Sequence, residues 1–152
     1  MRYKVILIVT VMLTAGAVPA AAPAASKGIV GTWFSKGERS RIEIAPCGDK
    51  LCGVIAWLKE PNDENGQPLR DILNTDDTVK GRPILGMPVL TELQANGKAY
   101  VGQVYDPERG EAFDATVQPG KPGELLVQGC GLMGLVCETE VWTKATPVPA
   151  AN

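Results

Sequence analysis

The segment that most constrains this chain runs from Ile42 to Leu58, IEIAPCGDKLCGVIAWL. It reads as two strands joined by a tight turn, with a cysteine on each side of the turn. Placing Cys47 opposite Cys52 leaves the four-residue loop Gly48-Asp49-Lys50-Leu51. That register sets Ile44 opposite Ile55 and Ile42 opposite Trp57 on one face, because side chains alternate along a strand. Glu43, Ala45, Val54, Ala56 and both cysteines fall on the other face. Directly opposed residues of an antiparallel pair lie about 4.5–5.5 Å apart at Cα, a span a disulfide bridges. Apolar pattern and sulfur chemistry therefore agree on one hairpin, and with it on a small β protein.

Disulfides persist in oxidising compartments, and the N-terminus fits that destination. Arg2 and Lys4 precede an apolar run from Val5 to Val18 and then small residues. This is the pattern of a secretory signal peptide, with cleavage after Ala20 or Ala24 fitting equally well. The apolar run is shorter than the roughly 20 residues a membrane span needs. No cysteine follows it to carry a lipid, so no stable membrane anchor is expected after cleavage. The expected division is residues 1–24 as cleaved signal, 25–144 as one β domain and 145–152 as a flexible Pro/Ala tail, in a periplasmic or secreted protein.

All four cysteines follow the leader, in two close pairs, Cys47/Cys52 and Cys130/Cys137. Even number and local pairing in an exported chain point to two disulfides rather than to a metal site. Histidine is absent from the chain. That removes a histidine general base, Ser-His-Asp and Cys-His catalysis, and the usual zinc sites. No enzyme activity, cofactor or metal is expected. The net charge of −2 and the lack of any basic stripe argue against nucleic acid as a partner.

Strand signals recur along the chain. Ile29 to Phe34 is a first strand, and the hairpin follows. After the long polar stretch come Met87 to Leu93, the turn signal Asn96-Gly97, Ala99 to Tyr105, Glu111 to Val117, Leu125 to Gly129 and Val136 to Lys144. Between Lys59 and Arg82 the sequence KEPNDENGQPLRDILNTDDTVKGR is polar, without a period of 2, and offers at most a short helical turn near Asp76 to Lys80. A loop of that length is either a functional lid or binding loop, or a solvated excursion. About eight strands with short connections form an up-and-down antiparallel meander, which must close its sheet or cover its edges. Eight strands close into a barrel wide enough for a side-chain core or one small ligand.

Taken together, PCGDKLCGVIAWL, the run from Asp71 through Asn74 to GRPILGMPVL, YVGQVYDPERG and the closing GC, C and VWTK resemble exported bacterial proteins with a domain of unknown function, numbered two-one-four-seven. Gly31 and Trp33 in Gly-x-Trp are similar to the start of lipocalin-type barrels. The resemblance implies a lipocalin-like barrel outside the cytoplasm and supplies no reaction, cofactor or ligand. Two positions depart from the family pattern. Tyr100 stands where Trp is expected, and Lys144 where Arg more often follows Trp-Thr, weakening an Arg-on-Trp closure against Trp33.

The aromatic residues Trp33, Trp57, Tyr100, Tyr105, Phe113 and Trp142 either line a cavity or fill a narrow core. Arg82, between the polar loop and Pro83-Ile84-Leu85, either receives an anionic ligand group at the barrel mouth or pairs with Asp71, Asp76 or Asp77. Asp63-Glu64-Asn65-Gly66 only faintly echoes a calcium loop. The loop acids Asp63, Glu64, Asp71, Asp76 and Asp77 also permit, less favourably, a carboxylate-based hydrolase. Gly131 to Val136 is an apolar loop that either plugs one barrel end, the favoured reading, or docks on a membrane or partner. The expected function is binding of a small, partly apolar ligand in the barrel by Trp33, Trp57, Arg82, Tyr105 and Trp142. The alternative is an envelope interaction module with a filled barrel, engaging a partner protein through its loops.

Overall fold

A computed structural model of the protein describes residues 28–149; the expected leader 1–24 and the last residues of the tail lie outside them. Eight strands form in sequence order: β1 Gly31–Phe34, β2 Ser40–Cys47, β3 Lys50–Leu58, β4 Pro88–Asn96, β5 Ala99–Asp106, β6 Glu111–Pro119, β7 Glu124–Gly131 and β8 Val136–Lys144. Each pairs antiparallel with its neighbour, and β8 returns to β1, so the sheet is a closed barrel without a free edge. The alternation in each strand explains the inward face. Ile42 and Ile44 of β2, Ala115 and Val117 of β6, and Leu125 and Val127 of β7 are all buried, each separated by a residue turned outward.

Closure rests on Trp33. Its indole N–H donates to the Ile29 carbonyl at 2.8 Å, and Trp33 stands opposite Lys144 across the β1–β8 seam. The Lys144 ammonium lies 4.3 Å from the centre of the Trp33 ring, so lysine makes the cation–ring contact that the family resemblance implies for arginine. Lys144 reaches the ring across Gly31, where a Cβ would stand 2.3 Å from Nζ. The tail is tied at its first residue, since the Ala145 N–H donates to the Thr32 carbonyl at 2.9 Å.

The β2–β3 hairpin forms in a different register from the one expected. Cys47 stands opposite Lys50 and Cys52 opposite Ala45, so the turn is Gly48-Asp49 rather than four residues. Gly48 takes φ 73°, which suits the tight turn. The shift is by two residues, so the faces are preserved, and the Cys47–Cys52 disulfide runs diagonally with its Cα atoms 5.8 Å apart. Cys130 and Cys137 do stand directly opposite each other, 4.1 Å apart at Cα. Replacing Cys47 and Cys52 together by alanine is expected to lower unfolding free energy by about 2 kcal/mol, as the loop-closure entropy of so short a ring gives. Urea denaturation of the double variant measures it.

A bulge ends the regular part of that hairpin. Ile42 faces Ile55, but Arg41 faces Trp57, leaving Ala56 as the extra residue. Trp57 therefore joins the outward face, not the face of Ile42 as expected. Its ring meets Phe34 edge-on at 6.3 Å, and the Arg41 guanidinium lies 4.9 Å from both ring centres.

The barrel has unlike ends. At one, the strands join through the short turns Gly48-Asp49 and Gly97-Lys98 and through residues 120–123. At the other lie the connections 35–39, 59–87, 107–110 and 132–135. The interior between them holds one apolar cluster, including Trp33, Ile55, Leu90, Tyr100, Val117 and Trp142.

Candidate functional site

The long connection at the loop-bearing end is ordered by its own hydrogen bonds. Asp71 N–H donates to the Arg82 carbonyl at 2.9 Å, Gly81 N–H to the Asp71 carbonyl at 2.8 Å and Ile84 N–H to the Leu69 carbonyl at 3.0 Å. Asp76 to Lys80 make the single short turn that the sequence allows, with Val79 and Lys80 N–H groups donating to the Asp76 carbonyl. In the same connection, Asp63 Oδ1 accepts from the Asn65 and Gln67 amides, which engages the first acid of the calcium-like tetrad in a turn. Among the described residues no group of three or more His, Cys, Asp or Glu side chains is placed to hold a metal ion.

Asp71 is the hub of this end. Its carboxylate is fully buried at 0% exposure, a placement a charge tolerates only when its oxygens are satisfied. Tyr105 donates its hydroxyl to Oδ1 at 2.6 Å, while Asn74 Nδ2 donates to Oδ2 at 2.8 Å and Arg82 Nε at 3.3 Å. Tyr105 can do this because it occupies an outward position on β5, opposite Ala112, whereas its neighbour Val104 faces in opposite Phe113. The connection thus folds back on the barrel wall and is pinned there by a strand side chain. The Arg82 guanidinium lies 5.6 Å from the Tyr105 ring centre, completing the cluster.

Burial, followed by the hydrogen bond to the Asp71 carboxylate, pushes the Tyr105 phenol up to about 12. The folded state therefore holds the phenol proton more tightly than the unfolded chain, whose tyrosines ionise near 10. This stabilisation is complete below about pH 10 and is lost as pH rises from there through about 12. Phenolate absorbance is expected to show one late-titrating tyrosine, absent in Tyr105→Phe.

The connection also rests on the β5–β6 turn. Gly110 has φ 71°, and a Cβ there would stand 2.1 Å from the Leu73 carbonyl oxygen. Only glycine lets turn and connection approach this closely.

Between them opens a cleft of about 460 Å³, lined among others by Asn74, Asp76, Val79, Tyr105, Phe113 and Leu132. Glu111 also lines it. Hydrogen bonds from the Thr78 side chain and amide hold the Asp76 carboxyl below the usual carboxylate range, so it stays ionised.

At the cleft's edge, the Gly131 to Val136 loop does not plug the barrel. Leu132 is 71% exposed, Met133 98%, Leu135 81% and Val136 59%. Pairing of β7 with β8 continues to Gly131 opposite Val136, beside the directly opposed disulfide. The four residues left over cannot reach back into the lumen. They turn instead through left-handed conformations at Leu132, Met133 and Gly134, φ 48°, 53° and 84°.

The structure thus distributes the residues singled out from the sequence. Arg82 and Tyr105 come together on Asp71. Trp33 and Trp142 are buried in the barrel interior, with their indole N–H groups donating to the Ile29 carbonyl and, at 2.9 Å, to Glu140 Oε2. Trp57 sits on the outer wall. The sequence reading missed Asn74 and the cleft itself; the short spacing from Asp71 to Asn74 was the available signal, in a run where polar residues abound.

Comparison with known proteins places these features in context. The sequence model of a family described as "Uncharacterized protein conserved in bacteria (DUF2147)" matches residues 31–144. Among solved structures, the chain is similar to protein HP1028 from the human pathogen Helicobacter pylori, described as belonging to the lipocalin family. The two share 18% identity with a TM-score of 0.62, over 77% of this chain and 82% of that one. At that identity the likeness is one of fold. None of the curated proteins matches the chain.

Proposed function

The chain belongs to the bacterial family of uncharacterized proteins DUF2147, and we propose that it binds a small amphipathic ligand in the cleft at the loop-bearing end of its lipocalin-like barrel. The observation that carries this reading is the cleft itself. Its volume of about 460 Å³ lies within the range of small-molecule sites, roughly 300–1,000 Å³. Its wall combines apolar Val79, Phe113 and Leu132 with the polar groups of Asn74, Asp76 and Tyr105. Burial of the ligand's apolar part supplies affinity, and the polar groups orient it.

Charge narrows the ligand class. Arg82 is paired with Asp71, while Asp76 and Glu111 face the cleft. The ligand's polar end is then neutral or cationic, since an anion would meet two acids. Of the loop acids only Asp76 lines the cleft, while Asp63, Glu64 and Asp77 are exposed and Asp71 is buried in its own hydrogen bonds. This disfavours the loop-acid hydrolase, since that needs two of these acids flanking one cleft. Of the residues expected to hold the ligand, Tyr105 lines the cleft directly and Arg82 supports it through Asp71.

Both cysteine pairs are joined as disulfides, which fits a compartment outside the reducing cytosol. We place the protein in the periplasm or secreted, as the leader's pattern implies. Native mass spectrometry of the protein recovered from that compartment tests the function. A discrete excess mass, lost on denaturation and lost in Ala112→Trp, which fills the cleft wall, is the expected result. A bare mass that persists after exposure to envelope extract would overturn it.

A further inference from the structure

Ligand binding uses the exposed tip of the β7–β8 loop only at Leu132, which lines the cleft. Four successive apolar side chains flank Gly134 there: Leu132, Met133, Leu135 and Val136, all more than half exposed. Two of them, Leu132 and Met133, sit at positive φ, a conformation that non-glycine residues adopt at a cost. The Cys130–Cys137 disulfide closes the loop base, holding the tip in one shape. A second exposed apolar group, Ile72, Leu73 and Leu85, belongs to the long connection at the same barrel end.

The same barrel end carries several ion pairs. Glu138, on the same face as Val136 of β8, pairs with Arg109 at 3.2 Å and with Lys36 at 3.8 Å. Arg109 also pairs with Asp106, and Arg39 with Glu108. Three basic and three acidic residues thus form mixed-sign ion pairs at the loop-bearing end of the barrel, tied to the apolar tip through Glu138, two residues from Val136 on β8.

From this we infer that the tip inserts into the surface of a zwitterionic lipid bilayer, with the ion pairs lying among the headgroups. Apolar side chains next to paired charges match acyl chains beneath headgroups that carry both signs. A convex tip of four side chains offers roughly a few hundred Å² of apolar surface. That is below the ~800 Å² per partner of a stable protein interface. A bilayer has no such threshold, because each side chain enters the acyl boundary independently. No helix of the described residues is long and apolar enough to cross a membrane, and the contact inferred is one of the tip with the bilayer surface. It brings the cleft, which Leu132 lines, to the surface where amphipathic molecules reside.

The test is flotation of the full protein with phosphatidylcholine vesicles, beside the double variant Met133→Glu/Leu135→Glu. Wild type is expected to float with the vesicles, and the double variant to partition at least tenfold less. Any leader left on the chain is common to both proteins, so their difference reports the tip alone. In Met133→Trp, the added tryptophan emission should shift to the blue and be quenched by brominated acyl chains. Both substituted positions are exposed, and an unchanged near-ultraviolet circular dichroism spectrum certifies the fold. Equal flotation of wild type and double variant would overturn the inference. So would an added tryptophan that stays unquenched, or self-association of wild type that the double variant loses, which would assign the tip to a second copy of the chain.

Discussion

Asp71→Ala is expected to lower the unfolding free energy by about 2–4 kcal/mol, measured by urea denaturation. The wild-type carboxylate is fully buried and accepts from Tyr105, Asn74 and Arg82. Alanine removes the acceptor and leaves three donors, Asn74 buried and Tyr105 and Arg82 half-buried. The Arg82 side chain keeps 29% of its exposure and can turn to water, which holds the loss below the upper range for a broken buried pair. Asp71→Asn keeps the volume and an oxygen for the Tyr105 hydroxyl, and should recover more than half of the loss. In the alanine variant the Tyr105 phenol is expected to titrate below about 12 but above the ordinary tyrosine range, because burial, the larger cause, persists. Loss of ligand should accompany loss of stability, since Asn74, Asp76 and Val79 are carried on the segment that Asp71 anchors.

Gly102→Ala is expected to cost about 3 kcal/mol for a different reason. In β4 the pairing slips between Thr91 opposite Gln103 and Gln94 opposite Val101, with Glu92 bulged at φ 59°. The bulge pushes β4 backbone against Gly102. A Cβ there would stand 2.5 Å from the Thr91 carbonyl oxygen and 2.9 Å from the Leu93 nitrogen. Backbone cannot swing aside as a side-chain end can, so the strand pair must part. Gly48→Ala is the comparison: nothing lies within 4 Å of its added Cβ, and only the left-handed φ of 73° is strained, worth about 1 kcal/mol. Thermal or urea unfolding of both variants separates steric exclusion from backbone preference.

These two positions also show how far the sequence can be read. Strand alternation carried the fold: Ile42, Ile44, Val117, Leu125 and Val127 are inward where their spacing places them, and eight strands of this kind close. Bulges were invisible, because the extra residue Ala56 looks like any outward alanine, yet it moves Trp57 from the core face to the outer wall. The hairpin register failed for a related reason. A disulfide fits diagonal as well as directly opposed cysteines, so sulfur spacing alone does not choose between a two-residue and a four-residue turn.

The site was less legible than the fold. Arg82 and Tyr105 stood out as a mouth cation and an aromatic, but their meeting point, Asp71, is one of several acids in a polar run with no period. What singles it out among the six acids of residues 59–82 is burial against β5, a long-range relation that no local pattern records. The apolar loop 131–136 was legible in composition but not in direction, which the opposed disulfide and the short remaining loop decide.

The central claim, that ligand binds in the mouth cleft while the barrel interior stays packed, is tested most directly by nuclear magnetic resonance. The probe is a short-chain trimethylammonium amphiphile kept below micelle formation. Saturable shifts at Asn74, Val79 and Ala112, with Val117, Leu125 and Val127 unmoved, are the expected result. Shifts centred on those three interior residues, or no saturable shift at the cleft, would contradict it.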